Sequence, residues 1–389
     1  KKFWALTLYF NVLLAVVVGY ILAMVGVVLN MHSVPPKGMH CIVLGFCGFC
    51  FVLAFGHDIP FLERLCWRHQ VFLDKICIHQ TDPALKNAGI HNLGAFLRHS
   101  KKMLVLFNSL YCKKLWTVYE LACYMYLHRR EKIELMPVDI ASVVLKSTVL
   151  IILVHFGSMS LNTLANTFSA EEIPNYSGFV IGGSLCIVGL AFILRGWARQ
   201  QSQLFSDLHS FHISGAMCAD ESDRVIVSNN VCAFVRAMGL VEDGASDADA
   251  LLSFDKLVQE RMPELLRGAI GPAGLPYKYA LVAGIGHDFY VLDGITSGLA
   301  VSALTIGSAL VHGLVVRLAI LPACFWVGSV MSHTCRPRTG WAEMAVTLGI
   351  GALTSLLTSS LFLLADFLAE LASTSVLWLG GFVALGLVQ

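Results

Sequence analysis

The chain has 389 residues, of which 56% are hydrophobic and only 14% are charged, and its formal net charge is +1. This balance is far more apolar than that of a soluble globular protein, and the small net charge supplies no overall field for binding nucleic acid. The composition therefore excludes an ordinary soluble protein and predicts one that is embedded in a lipid bilayer.

Seven apolar runs suggest helices that cross a bilayer, which requires about 20 mostly apolar residues each. The last run is only just long enough. They predict two spans in residues 1–56, two in 143–196 and about three in 298–389. The individual spans are expected at residues 3–30, 40–56, 143–164, 178–195, 298–330, 341–368 and 374–388.

Two polar blocks separate these groups of spans. Residues 57–142 carry 12 of the 27 Lys and Arg, and residues 198–297 carry 7 basic and 13 acidic residues. An even number of crossings precedes each block, so both are expected on one face of the membrane. The loop at 165–177 on the other side has no Lys or Arg, and the positive-inside tendency therefore assigns the blocks to the cytosolic face or its organellar equivalent. The later loop "SHTCRPRTG" disagrees, because it places two arginines on the opposite side.

The first polar block, residues 57–142, has the pattern of a small α/β domain. Its hydrophobic spacing predicts a strand at 71–78, a helix at 84–97, a strand at 101–108, a helix at 113–130 and a strand at 132–140. This alternation favours a parallel sheet with crossover helices. The second block, with bounds 197–297, is predicted to be a mostly helical soluble segment. Its amphipathic run at 251–271 is expected to pack on the α/β domain or on the membrane surface.

The stretches "VFLDK" and "GIHNLGAFLRHSKKMLVLFNSLYCKKLWTVYELACYM" resemble the central part of a Toll/interleukin-1 receptor/resistance (TIR) domain. Ser109, Tyr111, Trp116 and Glu120 fall at the spacing of that family, although Thr117 replaces its usual cysteine. The resemblance covers residues 71–138, under a fifth of the chain. The combination with flanking spans also resembles the multi-pass TIR-like membrane proteins of dinoflagellate algae.

The resemblance implies a catalytic role for Glu120. In TIR domains that cleave NAD, a glutamate on this helix contacts the nicotinamide ribose, where a carboxylate can stabilise positive charge on the sugar. NAD would then be a substrate, and no cofactor is required. However, the family's first strand and helix should precede Val71, and the short segment that follows span two leaves no room for them. The alternative role of Glu120 is a local pair with Lys113 or Lys114, or a position facing solvent.

Other residues of this block are candidates for binding a ligand. Asp74 and Lys75 follow the first predicted strand, and α/β sheets bind ligands at the carboxyl ends of their strands. The resemblance adds Ser109, Tyr111 and Trp116. The alternatives are ordinary solvation of a strand end and, for Trp116, packing of the helix against the sheet.

Within the spans, Arg317 and Glu343 are expected at a similar depth on antiparallel helices, where unpaired charges are costly. We therefore predict a structural contact between Arg317 and Glu343. A transport pathway would need more, such as acidic residues on several spans or an interrupted pair of helices. The pairs Cys47/Cys50 and His209/His212 have spacings that a metal ion could use, but neither has further ligands at a suitable spacing, and no metal site is predicted.

Three functional hypotheses follow from the sequence. The first is a membrane-anchored TIR-like module for protein interaction, signalling or assembly, whose partners are the lipid bilayer and either another protein or a second copy of the chain. The second is a TIR-type hydrolase that cleaves NAD with Glu120. The third is an accessory or transport subunit of a larger membrane complex.

Overall fold

The computed structural model is mostly helical, at 79%. It describes residues 1–35, 38–59, 92–128, 132–168, 176–218, 220–272, 274–297, 303–335 and 339–374, together with short pieces between 71 and 89. Two strands are present in this part of the chain, β1 (Met103–Phe107) and β2 (Ile133–Pro137). The helices are α1 (Lys2–Phe10), α2 (Val12–Met31), α3 (His40–Phe55), α4 (Leu93–His99), α5 (Leu115–Leu127), α6 (Val138–Phe168), α7 (Tyr176–His209), α8 (Glu221–Ala237), α9 (Asp247–Ile270), α10 (Tyr277–Ala283), α11 (Ile285–Ser297), α12 (Ala303–Val315), α13 (Leu321–Thr334) and α14 (Gly340–Thr374).

The chain divides into two compact units. The first, here called the membrane unit, comprises the described residues of Lys1–Cys66, Asp139–Arg199 and Gly271–Gln389. The second, the α/β unit, comprises those of Trp67–Val138 and Gln200–Ile270. The boundary at residue 270 divides the predicted soluble segment at 197–297, because residues 271–297 belong to the membrane unit.

Five helices of the described chain are long and apolar enough to cross a membrane, as in an integral membrane protein. Of the seven predicted spans, the fourth lies in α7, which is not among these five, and the seventh lies almost entirely outside the described residues. The five helical stretches are Val12–Met31, His40–Asp58, Val138–Ser158, Ala309–Thr334 and Gly340–Ala365.

Small residues allow the first two of these helices, α2 and α3, to pack closely. The buried face of α2 repeats every three or four residues as Ala15, Gly19, Ala23 and Gly26, whereas bulky residues such as Leu13 are exposed on its other side. Helices in lipid gain little from a hydrophobic effect between them, so close backbone contact through small residues supplies much of their attraction. This stripe therefore fixes which side of α2 meets its neighbours.

The α/β unit contains a parallel β-α-β arrangement, as the sequence predicts. Strand β1 pairs in parallel with β2, with Met103 opposite Ile133 and Phe107 opposite Pro137, and α5 connects the two strands. Helix α8 packs on α5, and α9 packs on β2. The later polar block therefore completes the core around the sheet, where Phe107, Leu121 and Phe254 are almost fully buried.

The strand predicted at 71–78 is not found in the described part of that segment. Residues 71–73 have no regular structure, Cys77 is helical, and residues 74–76 lie outside the described residues. Helix α4 (Leu93–His99) corresponds to the end of the helix that is predicted at 84–97. Within the described chain, the parallel sheet thus has two strands.

We expect Gly26→Ala to destabilise the membrane unit, because a Cβ atom at residue 26 would lie 2.6 Å from the backbone nitrogen of Cys41. The two helices would have to separate, and overpacking of this kind costs about 1–3 kcal/mol. The measurement is the midpoint of thermal unfolding of the purified protein in detergent. Gly349→Ala in α14 is the matched control, because a Cβ there would meet no atom within 4 Å. An unchanged midpoint for Gly26→Ala would contradict the close packing.

Candidate functional site

The predicted site residues of the α/β unit lie at the start of α5 and in the turn before it. Thr117, which replaces the cysteine of the TIR pattern, donates hydrogen bonds from its hydroxyl to the carbonyls of Tyr111 (2.5 Å) and Lys114 (2.8 Å). The backbone of Lys113 and Leu115 also forms a parallel bridge with Met217. These bonds hold the turn rigidly against the helix that follows it.

Trp116 is used inside the unit. Its indole nitrogen donates to the carboxylate of Asp223 on α8, at 2.9 Å. Its ring packs edge-on against Tyr119, and the rings of Tyr119 and Tyr126 stack on Phe234 of α8, with centroids 6.1 and 4.8 Å apart. The side of α5 that carries Trp116 is therefore covered by α8. The alternative role of Trp116, packing of the helix, is the one that these contacts match, although its partner is α8.

Glu120 is half-buried on α5, near the side chain of Tyr111. The Tyr111 hydroxyl is buried, and no hydrogen-bond partner for it lies among the described residues. Burial, and secondarily the charge of Glu120, hold the pKa of Tyr111 well above its ordinary value. Tyr111 and Glu120 thus form a pair of neighbouring polar side chains, and the tyrosine of the pair is kept neutral. Lys113, one predicted partner of Glu120, lies 3.9 Å from Asp207.

The remaining predicted ligand residues are not placed beside Tyr111 and Glu120 in the described chain. Ser109 is exposed in the turn that follows β1. Asp74 and Lys75 lie outside the described residues. The structure thus brings together Tyr111, Trp116 and Glu120 on one short segment, and Asp223 joins them from a distant part of the chain.

The predicted contact between Arg317 and Glu343 is replaced by two other ion pairs. Glu343 accepts from both Nε (2.8 Å) and Nη2 (3.1 Å) of Arg195, whose side chain is only 2% exposed. Arg317, in a π-helical turn at Val316–Ile320, donates from Nε to Asp288 of α11 at 2.8 Å. The reason is that α11 and α7 present their own charges to these helices. Sequence spacing along two spans could not reveal that.

Asp293 on α11 is a further buried charge, and it binds the beginning of α3. Its two carboxylate oxygens accept hydrogen bonds from the backbone nitrogens of Cys41 (2.9 Å) and Ile42 (2.8 Å), and Asn30 donates to it at 2.7 Å. The first amides of a helix have no partner within the helix, and a carboxylate there also complements the helix dipole. Asp293 therefore performs the role of an N-cap from another helix.

Asp288, Asp293 and Arg195 are structural charges that the sequence did not reveal. The predicted soluble segment at 197–297 includes the two aspartates, whereas they lie in the membrane unit. A usable signal was present, because "ALVAGIGHDFYVLDGI" is an apolar run with only two charged residues, spaced five apart. No group of three or more His, Cys, Asp or Glu that could hold a metal ion occurs among the residues that the structure describes.

A scan against models of protein families, a search of curated proteins and a search of solved structures each found no match to this chain. The resemblance to TIR domains therefore stays a prediction.

We expect Tyr111→Phe to raise the free energy of unfolding of the α/β unit by about 1 kcal/mol at neutral pH, because it removes a buried hydroxyl without a hydrogen-bond partner. The raised pKa adds a dependence on pH. Because folding raises this pKa, ionisation of Tyr111 favours the unfolded state, so the wild type loses stability as the pH rises above the unfolded-state pKa of about 10. The variant should therefore lose less stability than the wild type between neutral and strongly alkaline pH.

Chemical denaturation followed by circular dichroism measures both effects. Tyr126→Phe is the matched control, because Tyr126 is partly exposed and phenylalanine keeps its stacking on Phe234. A loss of stability in Tyr111→Phe would mean that the hydroxyl makes a favourable contact.

Proposed function

We propose that the protein is a membrane-anchored assembly module of the TIR-like kind, in which the α/β unit associates with a second copy of itself through helix α8. The positive-inside argument supports a cytosolic position, or its organellar equivalent, for this unit. The supporting observation is an exposed apolar face on α8, whose two ends carry opposite charges. It favours the first of the three hypotheses over catalysis.

Helix α8 has two dissimilar faces. The inner face buries Val227, Val231 and Val235 within the α/β unit. On the outer face, Val225 and Ile226 are 62% and 55% exposed. These two adjacent side chains form an apolar surface that a second copy of the helix can cover.

The charges at the ends of α8 make the face complementary to itself. Asp220 caps the helix by accepting from the backbone nitrogen of Ser222, and the side chain of Glu221 is 77% exposed beside it. At the other end, the side chain of Arg236 is 43% exposed. If two copies of α8 pack antiparallel about a twofold axis, the acidic end of each lies near Arg236 of the other. A symmetric dimer uses the same surface on both subunits, and this face meets that requirement.

The coverage of α5 by α8 also bears on the choice between the hypotheses. A nucleotide site would need an open cleft beside Trp116, and this indole is already bound to Asp223. The outer face of α8, in contrast, is exposed at Val225 and Ile226. Assembly therefore requires no rearrangement of the unit, whereas a wide ligand cleft does.

We expect Ile226→Asp to weaken self-association by about ten- to a hundredfold, because burial of an isoleucine side chain is worth about 1.5–3 kcal/mol. The measurement is the concentration dependence of mass in detergent, by light scattering after size exclusion. Leu252→Asp on α9 is the matched control, because Leu252 is equally exposed, at 53%, on another helix. A monomeric wild type across the concentration range would contradict the proposal.

A charge reversal tests the antiparallel geometry in the same assay. Glu221→Arg and Arg236→Glu should each weaken the dimer, whereas the protein carrying both changes should recover it. Because each residue also has a partner within its own chain, the recovery by the double variant is the decisive observation.

Cleavage of NAD is a second candidate function, and it is favoured by the position of Glu120 on the crossover helix of a parallel β-α-β arrangement, close to Tyr111 in the turn before that helix. Glu120→Gln should then reduce the rate of NAD loss by about 10²-fold or more, because it removes the charge that would stabilise the ribose cation. Glu134→Gln on β2 is the control and should retain the rate. If the purified wild-type protein consumes no NAD, this candidate is discarded.

A further inference from the structure

The membrane unit contains a cluster of ionisable side chains that the proposed function does not use. It is formed by His155 on α6, by His287, Asp288 and Tyr290 on α11, and by Arg317 in the π-helical turn. Tyr20 on α2 donates to Asp288, and His312 on α12 lies near His287. Five segments of the membrane unit therefore contribute to one polar centre.

The rings and charges of this centre are in direct contact. His155 stacks on Tyr290, with centroids 4.4 Å apart, and its ring centroid is 5.3 Å from that of His287. Beside His287 along the chain, Asp288 accepts from Nε of Arg317 at 2.8 Å. The two imidazoles thus lie next to the ion pair of Asp288 and Arg317, whose charges neutralise each other.

Several nitrogen atoms of the centre are buried without a hydrogen-bond partner in the described chain. They are Nδ1 of His155, Nε2 of His287 and Nη1 of Arg317, on residues that are 7%, 5% and 9% exposed. A buried polar atom without a partner destabilises a folded protein, and a purely structural contact would avoid it. These nitrogens are positions at which a proton can bind or leave without breaking a hydrogen bond to the described chain.

The chemistry of the centre favours a proton over other occupants. Asp288 already neutralises Arg317, so little positive charge remains to hold an anion. A metal ion would need the carboxylate of Asp288 as a ligand, and that carboxylate is already bound to Arg317. Imidazole, in contrast, can take up a proton on one ring nitrogen and release a proton from the other, which returns it to the neutral form. Ionisable residues within membrane helices that face one another are typical of proton pathways.

The backbone around the centre is irregular at two places. Arg317 lies in a π-helical turn, a feature often found at functional sites. Opposite it, the break between α10 and α11 falls at Gly284, where a Cβ atom would lie 2.9 Å from Nη1 of Arg317. The guanidinium group therefore occupies space that only a glycine leaves open.

We propose that His155 and His287 form a proton relay within the membrane unit, with Asp288 and Arg317 as positioning residues. In each passage a proton binds a nitrogen of one neutral imidazole, and the resulting imidazolium releases a proton to water or to the neighbouring imidazole. No oxidant or other reactant takes part. The cluster lies in the membrane unit, so this inference does not depend on self-association of the α/β unit.

The experiment uses the full chain reconstituted in sealed liposomes that contain the pH-sensitive dye pyranine. An outward potassium gradient with valinomycin supplies the driving force for protons. Wild-type protein should acidify the interior faster than protein-free liposomes do, and His287→Gln should reduce that excess by about tenfold or more. His32→Gln is the matched control, because His32 is exposed just after α2, and it should retain the wild-type rate.

Two outcomes would overturn the relay. One is a wild-type flux equal to that of protein-free liposomes. The other is an acidification that disappears when chloride is replaced by gluconate, since that result means that protons move only together with chloride and not through a relay of imidazoles alone. His155→Gln, on a different helix, tests the same relay if His287→Gln does not fold.

A measurement on the unaltered protein completes the test. Nitrogen-15 spectra of labelled histidine in the same liposomes should contain buried imidazole signals that move with external pH. Signals that stay fixed across the range in which histidine titrates in water would show that the imidazoles are closed to protons, and the relay would be wrong.

Discussion

The membrane unit depends on the pairing of polar groups where water is scarce. Asp293 accepts the first amides of α3 and the side chain of Asn30, so a single carboxylate connects α11 to the helices on either side of the first loop. Arg195 and Glu343 connect α7 to α14 in the same way, and the arginine also reaches two backbone carbonyls at the end of α13. A charge that lost its partner in such surroundings would cost far more than the pair contributes in water. These pairs therefore determine which helices are neighbours, whereas apolar contacts alone would permit many arrangements.

Helix α11 is central to this arrangement because it carries both aspartates and His287 while it packs between apolar helices. Its polar residues lie at positions where each meets a different neighbour. Where the pairing is complete, as at Asp293, the role is structural. At the other region, nitrogens of His155, His287 and Arg317 are buried without partners among the described residues, and these are the atoms to which we assign an exchange of protons. The contrast between these two regions of one helix is the basis for separating stability from function.

The α/β unit is held together by contacts between distant parts of the sequence. The parallel strands and α5 come from one polar block, and α8 and α9 come from another that begins about 60 residues later. Trp116 and Asp223 join the two blocks, and the stacked rings of Tyr126 and Phe234 extend the contact. A two-stranded sheet buries too little apolar surface to be stable alone. The second block supplies the missing cover, because α8 packs on α5 and α9 packs on β2.

The sequence by itself determined the local features. Long apolar runs predict spanning helices, and the alternating pattern of residues 101–137 predicts the parallel β-α-β arrangement that is present, because hydrophobic periodicity reports burial along one element. The sequence did not determine the partners of the charges. Arg317 and Glu343 are paired with Asp288 and Arg195, and Trp116 is paired with Asp223, over separations of up to 148 residues. Only the tertiary structure decided these contacts, because an ion pair or hydrogen bond depends on which helices become neighbours, and periodicity along one helix carries no information about the helix across from it.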